Sequence, residues 1–554
     1  MGRYFGVGIQ GKGTEADEPV VSAVLWVVIG IVAGLSLALL CLLAYDLLQR
    51  RHSLLRAYPV IGRARFLLEK VGPEMRQYWF LHDKEERPFN RTQRNWVYQT
   101  AKGVQNTFGF GTEIEPDTSQ NYLVVKHAPF PHPAPSKGEV TGPPHYHLPS
   151  AKVLGEHRGR RHAFRPPSVV NVSALSFGSL SASAVESMNR GAALAGCLQN
   201  TGEGGLSPHH KHGGELIFQI GTGYFGCRDD QGRFSLDELK AQLDDAPIRA
   251  LEIKLSQGAK PGLGGLLPAA KVTDEIAHAR EVSANEDCVS PSRHSAFADV
   301  DEMLDFVEML GDETGLPVGI KSAVGEEAFW LGLAHRMATT DRGVDFVTVN
   351  GGEGGTGAAP LVFTDHVALP FKMGVARVYS AFAREGLADR VTFIGSGKLG
   401  FPEAALFAFA LGCDMVSVGC EAMMAIGCVQ AQICHTGGCP VGIATQSKWL
   451  TRAVVPDEKA ERLGNYVTAL RAELLSLSRA CGVAHPALVT ADHLEIVDAH
   501  FNGTGVRELF DYEQGWGEHG LGDLEDLLKE MDQDLDRERS VERSAHGTTP
   551  YPEA

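Results

Sequence analysis

From Val169 onward the chain is built from one recurring unit. A short β-branched or apolar run ends in a glycine- or serine-rich loop, and a stretch of helical pattern follows. Eight such runs can be read: SVVNVSALS to Ser176, CLQNTGEGG from Cys197, ALEIKLSQG around Lys254, CVSP at Cys288, LPVGIKSAV around Lys321, VDFVTVNGGEGG around Asn350, VTFIGSGKLG around Gly395 and DMVSVGCEA around Gly419. Near-continuous apolar strands separated by room for a helix belong to a parallel sheet covered on both faces. Eight such units over about 260 residues predict an α/β fold of the (β/α)8 TIM-barrel type, with a doubly wound open sheet as the alternative. The barrel is preferred because nearly every run ends in a polar or glycine-rich loop, and a barrel gathers all eight loops on one face, where active sites form.

The N-terminal segment has a different logic. Pro19 to Tyr45 contain no charged residue, enough to cross a hydrocarbon core of roughly 30 Å as a helix. A signal peptide would have a shorter apolar region and a small-residue cleavage site, neither of which is clear. Acidic residues precede the segment (Glu15, Asp17, Glu18), and Arg50, Arg51, Arg56, Arg63 and Arg65 follow it. The positive-inside bias therefore predicts a single-pass membrane protein whose catalytic domain faces the cytoplasm; a buried core helix is the alternative. The expected organisation is an extracytoplasmic tail over 1–18, a transmembrane helix over 19–48, a connector over 49–150, the barrel over 151–450, and a helical extension with an acidic tail over 451–554.

The formal net charge of −17 and the lack of a Lys/Arg block argue against nucleic acid. His127, His132, His145 and His147 lie in a Pro-rich stretch where helical pairing is impossible, and read as loop residues rather than metal ligands. The ten cysteines are spread through a long chain, which fits a reducing compartment better than a disulfide framework.

Four stretches carry chemistry. IGSGKLG offers the backbone N–H groups of Gly395, Ser396 and Gly397 to a phosphate, with Lys398 adding charge. The next unit brings Gly419 before a helix, and barrels often bind phosphate between their last two strands. TVNGGEGGTGAAP, with glycines at 351, 352, 354, 355 and 357, reads as close backbone approach to a planar cofactor, against the alternative of a flexible turn. Lys254 in EIKLSQGAKPG and Lys321 in VGIKSAV sit inside apolar strands. Each needs an anionic or polar partner, and one anionic ligand would serve both. Gln257 and Lys260 follow at the strand end, and Glu203 in NTGEGG, on the same predicted face, is placed to pair with such a lysine or handle a proton. Finally, Cys428, Cys434 and Cys439, the last followed by Pro440, have the spacing of iron–sulfur ligation. Zinc with a fourth ligand such as His435, or unliganded buried thiols, are the alternatives.

Together NVSALSFGSLS, NTGEGG, EIKLSQGAKPG, NGGEGGTGA and C-x5-C-x4-CPVGIATQ resemble the FMN-binding synthase domain of glutamate synthase over roughly Val169 to Gln446. The resemblance implies FMN, a [3Fe-4S] cluster on Cys428, Cys434 and Cys439, and reduction of the imine of 2-oxoglutarate and ammonia to L-glutamate by hydride from reduced FMN. By motif, the FMN phosphate would lie at Gly395, Ser396, Gly397 and Gly419. The isoalloxazine would lie near Ser176, Lys254, Lys321 and the loop holding Gly352, Gly354 and Gly355. Gln257 and Lys260 resemble positions that hold the 2-oxoglutarate carboxylates, and Glu203 resembles a glutamate beside the flavin. Three departures stand out: Leu263 replaces an acidic residue in the family's AKPGEGG, SPSRHSAF with Arg293 and His294 replaces SPPPHHD, and no amidotransferase domain with a cysteine after the initiator Met is recognised. Nitrogen is therefore expected from ammonia, an amine or a separate amidotransferase subunit. Electrons are expected from a ferredoxin, a reductase subunit or a membrane donor. An electron-transfer or scaffold subunit without chemistry is the contrasting reading, and the retained Lys254, Gln257 and Lys260 speak against it.

Overall fold

The computed structural model describes residues 18–49, 53–104, 107, 109–116, 119–133, 148–498, 500–519, 527–528 and 531. Glu15, Asp17, Arg50, Arg51, His145, His147 and nearly all of the acidic tail lie outside the described residues. The chain divides into two units, 1–90 and 91–554.

The first unit is dominated by the helix Glu18–Leu48. Its stretch Ser22–Leu48 is long and apolar enough to cross a membrane, by length and composition. Asp46 near its end is covered by the returning chain: its carboxylate accepts from Val60 N at 3.0 Å and from Arg63 Nη2 at 2.5 Å.

The second unit holds a closed barrel of eight parallel strands. In chain order they are β1 (Val170–Val172), β2 (Gln199–Asn200), β3 (Leu216–Ile220), β4 (Ile248–Lys254), β5 (Val318–Ala323), β6 (Phe346–Asn350), β7 (Thr392–Ser396) and β8 (Met415–Val418). Each pairs with its chain neighbours, and β8 closes on β1. The expected TIM barrel is thus present, with one strand reassigned. Cys288–Val289, read above as the fourth strand, pairs antiparallel with Leu266–Leu267 in the excursion between β4 and β5. The true third strand is Leu216–Ile220, in ELIFQI. It was missed because the β2-to-β3 crossover contains no α-helix, only the 3-10 turn Pro208–His210, so the alternation of strand and helix breaks there.

Inward-facing residues change character up the barrel. The base is an apolar plug of Leu198, Ile217, Ala250, Phe346, Ile394 and Met415, closed from below by Leu154 and Phe164. Those two residues pair with each other through reciprocal backbone hydrogen bonds of 2.8 and 3.1 Å. One step up, the period of two brings Asn200, Gln219 and Glu252 inward, and one step further come Lys254 and Lys321, in register with Thr348.

The helical extension is real and structural. Helix Pro456–Ala480 packs on helix Ala182–Ala195. The two touch closely at Gly191, where a Cβ would lie 2.7 Å from Leu463 Cβ. Tyr466 Oη donates to Gly400 O at 2.8 Å and Arg471 Nη2 to Ala195 O at 2.8 Å. Strand Tyr122–Val125 pairs antiparallel with Leu494–Val497, joining the segment before the barrel to the one after it.

Candidate active site

Strand β4 does most to build the site. Its alternation aims Ala250, Glu252 and Lys254 along one face. Glu252 is fully enclosed and accepts three hydrogen bonds: from Asn200 Nδ2 at 2.8 Å, Gln219 Nε2 at 2.6 Å and Thr348 Oγ1 at 2.7 Å. Directly above, Lys254, Lys321 and Thr348 occupy one register level across β4, β5 and β6. Lys254 Nζ lies 2.8 Å from Glu203 Oε1, the partner its position in an apolar strand demanded. Burial pushes the Glu203 carboxyl up, but Lys254, then Lys260 and Arg280, together hold it below the usual carboxylate range. Burial also lowers Lys260 and Lys321 from the ordinary lysine value. Lys321 is buried, and among the described residues no side chain forms an ion pair with it. An ammonium so placed, with a second at the same level, suits an anionic or strongly polar ligand.

The loops that crown the strands are stitched to one another. Gly202 lies against the Ser176 backbone: a Cβ there would be 2.6 Å from Ser176 N. Ser176 Oγ donates to Ser179 Oγ at 2.9 Å. Gly258 touches the Gly351 carbonyl so closely that no side chain fits. Asn350 ties three segments: its Oδ1 accepts from Gly258 N at 2.7 Å, and its Nδ2 donates to Ser396 O at 3.2 Å and Oγ at 3.1 Å. Gln257 Nε2 donates to Thr356 Oγ1 at 2.9 Å. Gly352 is fixed by N–H donation to Leu369 O at 2.8 Å, and Gly354 N donates to Gly351 O at 2.9 Å.

At the neighbouring ends of β7 and β8, Gly395, Ser396 and Gly397 face the start of the Gly419 turn across a parallel pair of strands. Gly397 has φ +133° and would bring a Cβ within 3.3 Å of Gly351 N, so only glycine fits both the backbone and the space. Gly355 abuts the Cys420 thiol. Glycine is required here because the loops press on one another, leaving their backbone N–H groups uncovered by side chains of their own. Every residue singled out from the barrel sequence thus lies at the C-terminal mouth of a strand or on its loop.

The three cysteines follow in the loop after β8. Cys428 and Cys434 are half-buried and Cys439 is buried. Distant residues brace their backbone: Tyr98 Oη donates to Cys428 O at 2.8 Å, and Lys271 Nζ donates to Cys434 O at 2.7 Å. The loop that offers the three thiols is thus pinned from both sides.

Sequence reasoning missed Glu252 and Asn350. Glu252 was detectable, because it stands two residues before Lys254 in an apolar strand and must share its face. His294, noted only as a departure, is structural. Its Nε2 lies 2.9 Å from Lys254 O and its Nδ1 3.1 Å from Tyr224 Oη, with the ring stacked on Phe297 at 4.7 Å. Arg293 beside it points to solvent, and Leu263 is 38% exposed.

His294 also predicts a pH dependence. Burial lowers it to about 4 from 6.5, and likewise lowers His210 to about 3 and His485 to about 4. All three are neutral when folded, so between pH 6.5 and 4 the unfolded chain binds more protons and stability falls as pH falls. Each contributes a slope of about 1.4 kcal/mol per pH unit inside that window. Denaturation midpoints measured at pH 7, 6 and 5 should fall less steeply, or rise more, in His294→Phe than in wild type, the difference being this one histidine's share of the slope.

Comparison with known proteins places the chain in a family. The family described as "Conserved region in glutamate synthase" matches residues 156–484. The chain belongs to the glutamate synthase family. A Bacillus subtilis relative, "Glutamate synthase large subunit-like protein YerD", is 36% identical over 507 residues, covering 86% of this chain and 96% of that one. The "Archaeal glutamate synthase [NADPH]" of Methanocaldococcus jannaschii is 35% identical over 57% of this chain and 59% of its own length. The Bacillus subtilis "Glutamate synthase [NADPH] large chain" is 30% identical over 56% of this chain, but that match spans only 20% of the larger protein. Family membership makes this chain a glutamate synthase-type oxidoreductase of the class acting on CH–NH2 donors.

Proposed function

We propose that this glutamate synthase family member is anchored in a membrane by the helix over 19–48, faces the cytoplasm, and reductively aminates 2-oxoglutarate to L-glutamate using FMN and a [3Fe-4S] cluster. The observation that carries the reading is the level of the barrel shared by Lys254 and Lys321, which sets two ammonium groups at one height below the glycine-rich loops. FMN, when bound, would supply hydride and the cluster single electrons.

The chain's own residues do the rest. Gly395, Ser396, Gly397 and Gly419 would hold the flavin phosphate. Ser176, Lys321, Gly352, Gly354 and Gly355 would hold the ring system, and Cys428, Cys434 and Cys439 the cluster. Gln257 and Lys260 would bind the substrate carboxylates, with Gln257 oriented by its hydrogen bond to Thr356. The Lys254–Glu203 pair, closed at 2.8 Å, would hold a proton at Nζ beside the reacting carbon, sheltered from bulk water. Ammonia, or ammonia delivered by a separate amidotransferase, is the proposed nitrogen source, and a ferredoxin or reductase subunit the proposed electron donor. An amine substrate giving an N-substituted glutamate is the second reading. It is favoured by the exposed Arg293 and part-exposed Leu263 on the substrate-side loops, where the family carries other residues.

The test is anaerobic turnover of the solubilised full chain with reduced ferredoxin and 2-oxoglutarate, plus ammonia, methylamine or glutamine. Glutamate from ammonia supports the first reading and N-methylglutamate the second; no amino-acid product from any donor would overturn both. Separately, Cys434→Ser should lose the iron bound by the wild type while retaining FMN, read by metal analysis and flavin absorbance. Unchanged iron content would remove the ligand assignment.

A further inference from the structure

Outside the barrel mouth, the segment LSPHHKHGG between β2 and β3 brings two histidines against a carboxylate. Glu186, on helix Ala182–Ala195, together with His209 and His212, presents ligand atoms that all lie within 4.8 Å of one another. Glu186 Oε2 is 4.0 Å from His209 Nδ1 and 3.9 Å from His212 Nε2.

The partners of the remaining atoms define the chemistry. His209 Nε2 lies 2.6 Å from Glu275 Oε1. A carboxylate only accepts, so Nε2 donates to Glu275, which leaves Nδ1 directed at Glu186. The other oxygen of Glu186 is taken by Arg190, whose Nε and Nη2 lie 2.9 and 2.8 Å from Oε1. His209 Nδ1 and Glu186 Oε2 therefore face each other across a gap of 4.0 Å that a cation can bridge. A ligating histidine whose second nitrogen donates to a carboxylate is the usual outer support of a metal site. The backing is rigid as well: His212 N donates to Asn189 Oδ1 at 2.8 Å, and the His209 ring packs on Phe177 with centroids 5.2 Å apart.

We propose that Glu186, His209 and His212 form a binding site for a divalent transition metal, with zinc as its best match. Two imidazoles and one carboxylate suit zinc and disfavour calcium or magnesium, which take all-oxygen shells. Ligand bonds of about 2.0–2.2 Å place tetrahedral ligands roughly 3.3–3.6 Å apart, so the carboxylate–imidazole separations would close by roughly half an ångström on binding. The three side chains are 19–28% exposed, so water completes the shell. The ion would tie helix Ala182–Ala195 to the segment that carries Glu203, and so brace the loop on which the Lys254–Glu203 pair depends.

The test uses the full chain purified with its iron intact, dialysed against Zn²⁺ and then against metal-free buffer, with zinc and iron measured per chain. Wild type should retain one more zinc than His212→Ala or His209→Ala at equal iron, and added Zn²⁺ should raise the thermal midpoint of wild type but of neither variant. Lys211→Ala, which alters the residue between the two histidines, should keep the zinc. Equal zinc in wild type and either folded histidine variant would overturn the proposal, as would loss of zinc in Lys211→Ala. If neither histidine variant folds, Glu186→Gln is the deciding variant under the same criterion, read by zinc retention.

Discussion

Glu252→Ala is expected to destabilise the folded chain by about 3–5 kcal/mol, among the largest effects of any single substitution here. The carboxylate is enclosed by the barrel and satisfies three donors from three other strands, at Asn200, Gln219 and Thr348. Truncation leaves two amides and a hydroxyl without their acceptor in a place water reaches poorly, and each such group costs about 1–3 kcal/mol. It also removes the negative charge nearest the buried Lys321. Glu252→Gln separates these two causes. Its amide oxygen can take the place of Oε2 for Asn200 and Gln219, while its NH2 faces Thr348, whose hydroxyl can turn round and accept. Urea midpoints should therefore rank wild type above Gln and Gln well above Ala. Ala and Gln variants of equal stability would show that charge, rather than the hydrogen bonds, is what matters at this position.

Under the proposed reaction, Lys254→Met should lower kcat/KM for 2-oxoglutarate by about 10²–10³-fold or more, the loss typical when a preorganised charge at a reacting centre is removed. Methionine matches the stem of lysine, so packing in β4 survives while the charge goes. The variant has a second signature. Lys254 is the main group holding Glu203 below the usual carboxylate range, so without it the balance tips toward burial and the Glu203 carboxyl rises. The acidic limb of the kcat/KM pH profile should move to higher pH in Lys254→Met, whereas Lys254→Arg should leave it close to wild type. A variant whose rate falls with no displacement of that limb would mean that Lys254 acts independently of Glu203.

Much of this architecture was legible in the sequence, for identifiable reasons. Seven of the eight barrel strands declared themselves as apolar runs closed by glycine or serine. The one that did not, Leu216–Ile220, follows a crossover without an α-helix, and the run chosen in its place, at Cys288, forms two residues of a separate antiparallel ladder. Local pattern cannot distinguish these, since both are short and apolar. The in-strand lysines were legible because charge in an apolar strand is costly, and the same reasoning extends by two residues to Glu252. What the sequence conceals is anything joined across long separations: Lys271 reaching the Cys434 carbonyl 163 residues away, or Glu186 meeting two histidines carried on a loop. Those depend on which helix the barrel places beside which crossover, a property of closure rather than of any local stretch.

Strand β2 contributes only Gln199 and Asn200, and meets β1 at a single residue pair. Mechanically, a cylinder of staves is weakest where one stave is shortest, and here side chains reinforce a short backbone ladder in which Val172 N donates to Leu198 O at 2.8 Å and Thr201 N to Ile217 O at 3.0 Å. Asn171 Oδ1 accepts from Leu198 N at 2.9 Å, Asn189 Nδ2 donates to Gln199 Oε1 at 2.8 Å, and Asn200 reaches across to Glu252. Three asparagines therefore add to a short ladder, tying β2 to β1, to the helix Ala182–Ala195 and to β4. A residue type normally associated with turns here acts as the rivet of a barrel wall.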